Sequence, residues 1–206
     1  MSRGKAGKPV IVLDVGGVLV AFDLKPLIKT LSKNRGDRVT LPPLSAMDKI
    51  FLPLQTGQSS MEDLVPELNA SLGVSLSPSK WHALSCSIFT GEMPGMKELL
   101  REIKKDFLLV GLTNTIEVHW TFLLENYDIL KLLDGCIVSY IEGMAKPDPA
   151  VYRRVVDRYC DGSTPHFHTD DLPEYVEAAR QMGWRSEVFR GPLQFKSQVL
   201  RIRSGG

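Results

Sequence analysis

The feature that most constrains the fold is an apolar run near the amino end that stops at one acidic residue. Residues Val10–Leu13 are all aliphatic, Asp14 follows them, and Gly16 and Gly17 come next. A short aliphatic run that ends in a turn is typical of a strand buried on both faces, as in a parallel sheet. Ligands of open α/β sheets bind beyond the carboxyl ends of such strands, where glycines let backbone N–H groups approach an anion. We therefore expect Asp14, Gly16 and Gly17 to lie at a ligand-binding edge, although an ordinary strand and turn would give the same pattern.

From residue 94 onward, apolar strand patterns alternate with helix patterns. Strands are predicted at 107–112, 135–139, 165–169 and 187–189, and helices at 96–105, 117–126, 149–160 and 173–182. Such alternation is typical of βαβ units, in which helices cover a parallel sheet. The sequence thus predicts an α/β fold built on a Rossmann-like parallel sheet.

Residues 24–90 have a different pattern. Capped helix starts are predicted near Ser60 and Ser77, and no alternation of β-branched residues is visible between them. This favours a small all-helical insertion. We expect a core domain formed by 1–21 and 94–206, with residues 22–93 as an inserted helical cap.

Composition excludes several classes of partner. The formal net charge of +1 over 206 residues gives no general attraction to nucleic acid or to an acidic membrane surface. No apolar run approaches the roughly 18 residues of a membrane helix. Cys86, Cys136 and Cys160 are odd in number and widely spaced, which is typical of reduced cysteines. We expect a cytoplasmic protein that binds neither nucleic acid nor membrane.

Polar side chains follow the predicted strands of the sheet. Asp14 and Thr113 each follow a strand, Lys146 lies in the loop beyond the third, and Asp170 and Asp171 follow the fourth. Since the carboxyl ends of parallel strands meet at one edge, these groups are expected at one site. Three carboxylates form an all-oxygen site for Mg²⁺, while Lys146 and the Thr113 hydroxyl would bind phosphate oxygens. Asp14 is then placed as a nucleophile toward phosphorus.

Each of these motifs also has a purely structural interpretation. Thr113 and Asn114 would serve as a helix cap, Lys146 as part of a helix entrance, and Asp170 with Asp171 as a cap with acidic first-turn residues. Their order after successive strand ends favours the functional interpretation. In that interpretation Asn114 binds substrate beside Thr113.

The constellation resembles the haloacid dehalogenase-like hydrolase superfamily. Its first motif, D-x-D-G-T/V, is matched by Asp14-Val15-Gly16-Gly17-Val18 apart from the third letter, and Thr113, Lys146 and Asp170-Asp171 match the other three motifs. The resemblance is strongest to a small-capped branch that holds sugar-phosphate phosphatases and the phosphatase domain of epoxide hydrolases. It implies a Mg²⁺ site formed by Asp14, Asp170, Asp171 and the Gly16 carbonyl.

Two departures from the family pattern bear on mechanism. Most family phosphatases carry a second Asp two residues after the nucleophile, which protonates the leaving oxygen and then activates water; here that residue is Gly16. The usual Asn of the last motif is Tyr175. His168, two residues before Asp170, is either a substitute acid or a structural histidine. His119 and Trp120 either line the pocket or pack within their helix.

The leading function is a Mg²⁺-dependent phosphatase that hydrolyses a small phosphorylated metabolite through an aspartyl-phosphate on Asp14, with Lys146 as its second catalytic residue. A catalytically weak phosphate-binding or regulatory protein is the alternative, motivated by Gly16 and Tyr175. A receiver-type signalling domain is disfavoured because there the acidic pair precedes the acceptor Asp. A 2-haloacid dehalogenase is disfavoured because Asp170 and Asp171 would repel its carboxylate substrate.

Overall fold

The computed structural model describes residues 8–39 and 51–203. Its strands are β1 (Val10–Leu13), β2 (Val20–Phe22), β3 (Phe89–Glu92), β4 (Leu108–Thr113), β5 (Gly135–Val138), β6 (Phe167–Asp170) and β7 (Ser186–Val188). Five of them form a parallel sheet in the order β5-β4-β1-β6-β7, and β2 pairs antiparallel with β3. The predicted α/β fold with a parallel sheet is confirmed.

Helices connect and cover these strands. They are α1 (Lys25–Arg35), α2 (Met61–Leu72), α3 (Pro78–Cys86), α4 (Met96–Ile103), α5 (Glu117–Asn126), α6 (Ser139–Glu142), α7 (Pro149–Tyr159), α8 (Pro173–Gln181) and α9 (Pro192–Arg203), with a 3-10 helix at Asp128–Leu132 and further helical residues at 51–55. Within the described ranges, no helix combines the length and the apolar character needed to cross a membrane.

The β1 strand is buried on both faces, as its unbroken aliphatic sequence predicts. Successive side chains of a strand point to opposite faces. Accordingly, Ile11 and Leu13 pack in one apolar cluster with α4 and α9, while Val10 and Val12 pack in a second with α7 and α8. These two layers hold β1 at the centre of the sheet.

The register of the sheet brings the polar strand ends to one edge. Leu13 pairs with Gly111 of β4 on one side and with Thr169 of β6 on the other. Asp14 therefore lies between the ends of β4 and β6, and its N–H donates to the Thr169 carbonyl at 3.0 Å.

The helices α1 to α3 share an apolar cluster that is separate from the two clusters around the sheet. The predicted start of α2 is formed by a capping box: the Asp63 N–H donates to Ser60 Oγ and the Ser60 N–H donates to Asp63 Oδ2. The helix ends at Gly73, whose φ of 64° is left-handed. These local signals can be predicted because they depend on neighbouring residues only.

The prediction of an all-helical insertion is wrong at β3, which pairs with β2 across the start and end of the insertion. Both strands are too short to give an alternating pattern, and β3 contains Gly91. The helices α6 and α9 and the 3-10 helix were not predicted either. The division into 1–21 with 94–206 and 22–93 stays a prediction, and its residues 1–7, 40–50 and 204–206 lie outside the described residues.

Candidate active site

Three carboxylates meet at the carboxyl edge of the sheet. Asp14 follows β1, Asp170 ends β6 and Asp171 comes next, and one carboxylate oxygen from each lies within 4.8 Å of the other two. Asp14 and Asp170 are buried, and Asp171 is partly exposed. Carboxylate oxygens are the ligands that Mg²⁺ prefers, so this donor set fits that ion.

Lys146 is the cation of the cluster. Its Nζ donates to Asp14 Oδ1 at 2.9 Å and to Asp170 Oδ2 at 2.6 Å, and its side chain is 1% exposed. Asp170 Oδ1 also accepts from the Leu172 N–H at 3.0 Å. Both oxygens of Asp170 therefore have protein partners, and Asp171 is the more open of the adjacent acids.

The charges of this cluster do not balance, since three carboxylates face one ammonium. Burial, followed by repulsion from Asp170 and Asp171, raises the pKa of Asp14 to about 7 despite its bond to Lys146. Burial and repulsion from Asp170 raise the pKa of Asp171 to about 6. Burial lowers the pKa of Lys146, but the adjacent Asp14 and Asp170 outweigh it and raise that pKa. The site thus holds a fixed ammonium and an excess of negative charge that a divalent cation would neutralise.

Asn114 and Tyr175 hold Lys146 in place. Asn114 Oδ1 accepts from the Lys146 N–H at 2.8 Å, and Asn114 Nδ2 donates to the Lys146 carbonyl at 2.8 Å and to Tyr175 Oη at 3.2 Å. Both amide hydrogens of Asn114 are therefore used within the protein. Asn114 thus fixes the backbone of Lys146, and its predicted contact with substrate stays a prediction.

The ring of Tyr175 lies against the lysine. Lys146 Nζ is 4.8 Å from the centroid of this ring, a distance typical of a cation–π contact. The Tyr175 carbonyl accepts from Tyr152 Oη at 3.0 Å, which ties α8 to α7. At the position where the resembled family usually has Asn, this chain thus has an aromatic ring in contact with Lys146.

Thr113 is buried at the end of β4, facing the same edge as Asp14. The loop that follows it is fixed by Ser139, the first residue of α6. Ser139 Oγ accepts from the Thr115 N–H at 2.9 Å and donates to the Thr115 carbonyl at 3.0 Å. Sequence reasoning missed Ser139, because nothing local marks a serine that bonds to a distant loop.

The glycine turn after β1 is shaped by the acid pair. A Cβ at Gly17 would overlap the Asp171 carboxylate, and the φ of Gly17 is 74°. The Gly17 N–H donates to the Val20 carbonyl at 2.9 Å. The turn therefore uses the Gly17 N–H itself, and Gly17 lets Asp171 approach the turn; a contact of Gly17 with substrate stays a prediction.

The structural interpretation holds for some of these motifs and not for others. Helix α5 begins after Ile116 and α8 after Leu172, and neither has a side-chain cap, so Asn114 and Asp171 are not capping residues. In the third motif, Asp148 Oδ1 accepts from the Ala150 N–H at the start of α7, and in the fourth, Asp170 Oδ1 accepts from the Leu172 N–H just before α8.

The two candidate histidines do not contact the acid cluster. His168 Nδ1 lies 2.8 Å from Ser186 Oγ, and its ring packs edge-on against Trp184 and Tyr152. His119 packs edge-on against Phe89 of β3. Burial lowers the pKa of His168 to about 3 and that of His119 to about 4, so both are neutral near pH 7. Trp120 packs in the apolar cluster beside the sheet.

A cavity of about 830 Å³ lies between the helices of the insertion and α5. Its lining includes Glu62, Glu117 and Glu125 together with His82, and Ile116 places it beside the loop that follows Thr113. The acidic lining disfavours a phosphate group there.

The molecule is an α/β protein with a parallel sheet and an acid cluster at the carboxyl edge, where open α/β sheets bind their ligands. The haloacid dehalogenase-like hydrolase family matches residues 8–183, so the chain belongs to this family of hydrolases. This confirms the resemblance drawn from the motifs.

Two characterised relatives are named as phosphatases. The chain is 27% identical to phosphatase MT3486 of Mycobacterium tuberculosis (strain CDC 1551 / Oshkosh), over 93% of this chain and 91% of the relative. It is 28% identical to the sesquiterpene phosphatase astK of Aspergillus oryzae (strain ATCC 42149 / RIB 40), over 84% of this chain and 85% of the relative.

Solved structures share the fold at lower identity. The enzyme bt-2542 of Bacteroides thetaiotaomicron, crystallised with magnesium and inorganic phosphate, superposes with a TM-score of 0.72 at 20% identity, over 90% of this chain and 96% of that chain. The L-2-haloacid dehalogenase PA0810 superposes with a TM-score of 0.61 at 19% identity, over 87% of this chain and 83% of that chain. Phosphatases and dehalogenases share this architecture, so the reaction must be argued from the site.

Proposed function

We propose that the chain is a Mg²⁺-dependent phosphatase that hydrolyses a small phosphorylated metabolite through an aspartyl-phosphate on Asp14. The observation that carries this proposal is the convergence of Asp14, Asp170, Asp171 and Lys146 at one edge of the sheet. The names of the two curated relatives support the reaction class, and the magnesium and phosphate of the bt-2542 crystals support the ligands.

Asp14 and Asp171 are the residues that would hold Mg²⁺, with Asp170 beside them and the Gly16 carbonyl as a further oxygen. When bound, the ion supplies positive charge that lowers the pKa of Asp14 and neutralises phosphate oxygens. This fits a cluster in which the pKa of Asp14 is about 7 and that of Asp171 about 6.

The chain's own residues orient the nucleophile, attract the phosphoryl group and attack phosphorus. Lys146 fixes the orientation of the Asp14 carboxylate through its bond to Oδ1, and its positive charge and the Thr113 hydroxyl attract the oxygens of the phosphoryl group. An Asp14 oxygen attacks phosphorus and the bond to the leaving oxygen breaks. Water then attacks phosphorus, which returns the electron pair to the Asp14 carboxylate and releases inorganic phosphate.

The test is steady-state phosphate release from a panel of sugar phosphates, with and without Mg²⁺. We expect turnover that requires the metal and that falls by about 10⁴-fold or more in Asp14→Asn, because the nucleophile is lost. Asp157→Asn, an exposed acid on α7, is the matched control and should retain wild-type rates. Acid-quenched enzyme should carry a phosphoryl group that hydroxylamine removes.

A phosphate-binding or regulatory protein is the second candidate, and Gly16 is the observation that favours it. Binding of inorganic phosphate in the presence of Mg²⁺ without turnover of any phosphate ester would support it against the enzyme.

Cys86, Cys136 and Cys160 are unpaired, which suits the reducing conditions of the cytoplasm.

A further inference from the structure

A largely buried carboxylate outside the active site joins two helices. Glu142 is the last residue of α6, and its side chain is only 6% exposed. Its Oε1 accepts from Arg158 Nη1 and its Oε2 accepts from Arg158 Nη2, the latter at 2.9 Å, so the two side chains form a bidentate pair. Arg154 Nε lies 3.2 Å from the same Oε2. We call these three residues the Glu142 ion-pair cluster.

The Glu142 ion-pair cluster attaches α6 to the later turns of α7. Arg154 and Arg158 are four residues apart on α7 and therefore lie on the same face of that helix. The helix itself is fixed to the sheet, since Val151 and Val155 are buried in an apolar cluster with Val12 of β1. Helix α7 is thus a firm support for the end of α6.

Helix α6 depends on supports of this kind because it has only four residues. A single helical turn gains too few hydrogen bonds to be stable alone. Ser139 fixes its first residue through the bonds to the loop of Thr115. Glu142 fixes its last residue, directly before Gly143, whose φ of 71° turns the chain out of the helix. The cluster therefore sets the point from which the chain runs toward Lys146.

The loop between α6 and α7 carries Lys146, four residues after Glu142 and three before Pro149. Both ends of this loop are attached to α7, one through the chain at Pro149 and the other through the Glu142 carboxylate. The Lys146 ammonium bonds to Asp14 at 2.9 Å and to Asp170 at 2.6 Å, and such bonds weaken steeply as their geometry departs from the optimum. A shift of the first end of the loop would therefore weaken them.

We infer that Glu142 is a positioning residue for Lys146, because it fixes the loop that places the ammonium in the acid cluster. The inference rests on the proposed function, in which Lys146 orients the nucleophile. A displacement of about 1 Å at a reacting group can lower the rate by about 10²-fold. Glu142 bonds to arginines of α7 and acts through the loop, so its loss should lower kcat more than it raises KM.

The first measurement is steady-state hydrolysis of p-nitrophenyl phosphate with Mg²⁺. Glu142→Gln keeps the size of the side chain, but its amide nitrogen cannot accept a hydrogen bond from arginine. We expect kcat to fall by about 10- to 100-fold with a smaller change in KM. Arg158→Gln breaks the same pair from its half-exposed partner and should have a similar effect. Because the two residues act as one unit, changing both should cost no more than changing either alone.

Asp134→Asn is the matched control for a general loss of stability. Asp134 directly precedes β5, so it lies at the amino edge of the sheet, opposite to the acid cluster. Its side chain is 22% exposed and also has two partners, the Leu109 N–H at 3.0 Å and Lys104 Nζ at 3.5 Å. This variant should melt at a lower temperature and keep the wild-type kcat.

The second measurement needs no turnover and uses metal-free protein with isotope-labelled lysine. The Lys146 ammonium is 1% exposed and bonded to two carboxylates, so its Nζ–H signal in NMR spectra should exchange slowly with water and be absent in Lys146→Arg. Glu142→Gln should speed this exchange by about tenfold or more, because the released loop opens more often. Asp134→Asn should leave the exchange unchanged.

Unchanged exchange or an unchanged kcat in folded Glu142→Gln would overturn the inference, as would an equal loss of kcat in Asp134→Asn. If Glu142→Gln does not fold, Arg158→Gln decides by the same two readouts. A wild type without turnover would overturn the proposed function, whereas faster exchange in Glu142→Gln would still uphold Glu142 as the residue that positions Lys146.

Discussion

Lys146 is held by three kinds of contact, and each acts on a different part of the residue. Asn114 bonds to its backbone, Asp14 and Asp170 bond to its ammonium, and the ring of Tyr175 lies 4.8 Å from the same ammonium. A lysine side chain has four rotatable bonds, so a fixed ammonium requires such supports. Tyr175 adds attraction without adding a second negative charge beside Asp170.

Replacing Tyr175 should separate the contribution of its ring from that of its hydroxyl. Tyr175→Leu removes the cation–π contact, worth about 0.5–2 kcal/mol, and should lower kcat by up to about 30-fold with a smaller change in KM. Tyr175→Phe keeps the ring and loses the bond to Asn114, so it should recover most of that kcat. Steady-state kinetics on both folded variants make the comparison; equal kcat values for Phe and Leu would exclude the ring as a support for Lys146.

Sequence reasoning could reach the charged residues of the site but not their supports. Asp14, Lys146 and Asp171 could be predicted to converge because the ends of parallel strands meet at one edge. The contribution of Tyr175 depends on how α8 packs, including the Tyr152 bond to its carbonyl, and no local pattern encodes that packing. The same holds for Asn114, whose bonds to a backbone 32 positions away follow no local pattern.

The turn between β1 and β2 is the element that joins Asp14 to the acid pair. Gly17 N–H bonds to Val20, and the N–H groups of Leu19 and Val20 bond back to the Val15 carbonyl, so the turn is closed on itself. Its tightness brings Gly17 against Asp171. The aliphatic run of β1 made the start of this element predictable. Its other end, β2, pairs with β3 beyond the whole insertion, and that non-local pairing left no pattern in the sequence.

Substituting Gly17 should damage metal binding through Asp171, beyond the strain that any side chain would cause there. Gly17→Ala and Gly36→Ala both place a Cβ on backbone of positive φ, and each should cost about 1 kcal/mol of stability. Only Gly17→Ala displaces Asp171, because nothing lies within 4 Å of the corresponding Cβ at Gly36. We expect the Kd for Mg²⁺ to rise about tenfold or more in Gly17→Ala alone, measured by calorimetric titration. An equal Kd in the two variants would mean that Asp171 is not a ligand.

Across the whole molecule, the acid cluster works against folding, and its charge must be compensated. Sequence reasoning predicted that this charge must be compensated, since three converging carboxylates need a cation or protons. It could not give the burial that makes the imbalance large: Asp170 is 0% exposed and Asp14 7% exposed. The fold tolerates the cluster because Lys146 offsets part of its charge and protons can offset more.

The pH dependence of stability should therefore reveal the cluster. Burial raises the pKa of Asp14 from 3.8 to about 7 and that of Asp171 from 3.8 to about 6. Between pH 3.8 and about 7 the folded protein therefore binds more protons than the unfolded chain. Without metal, the contribution of these groups to the free energy of unfolding must fall as pH rises through that window. Mg²⁺ competes with the same protons, so its affinity should rise over the window.

Thermal melts with and without Mg²⁺ test this directly, because the difference between them cancels the titration of groups remote from the site. The rise in Tm caused by Mg²⁺ should be larger at about pH 8 than at about pH 5, since at the lower pH protons already neutralise Asp14 and Asp171. Asp14→Asn removes one ligand and one titrating group, and should reduce both the rise and its pH dependence, whereas Asp157→Asn should retain both. A rise in Tm that is equal at the two pH values in the wild type would show that the ion does not displace protons from this cluster, and would place its binding elsewhere on the protein.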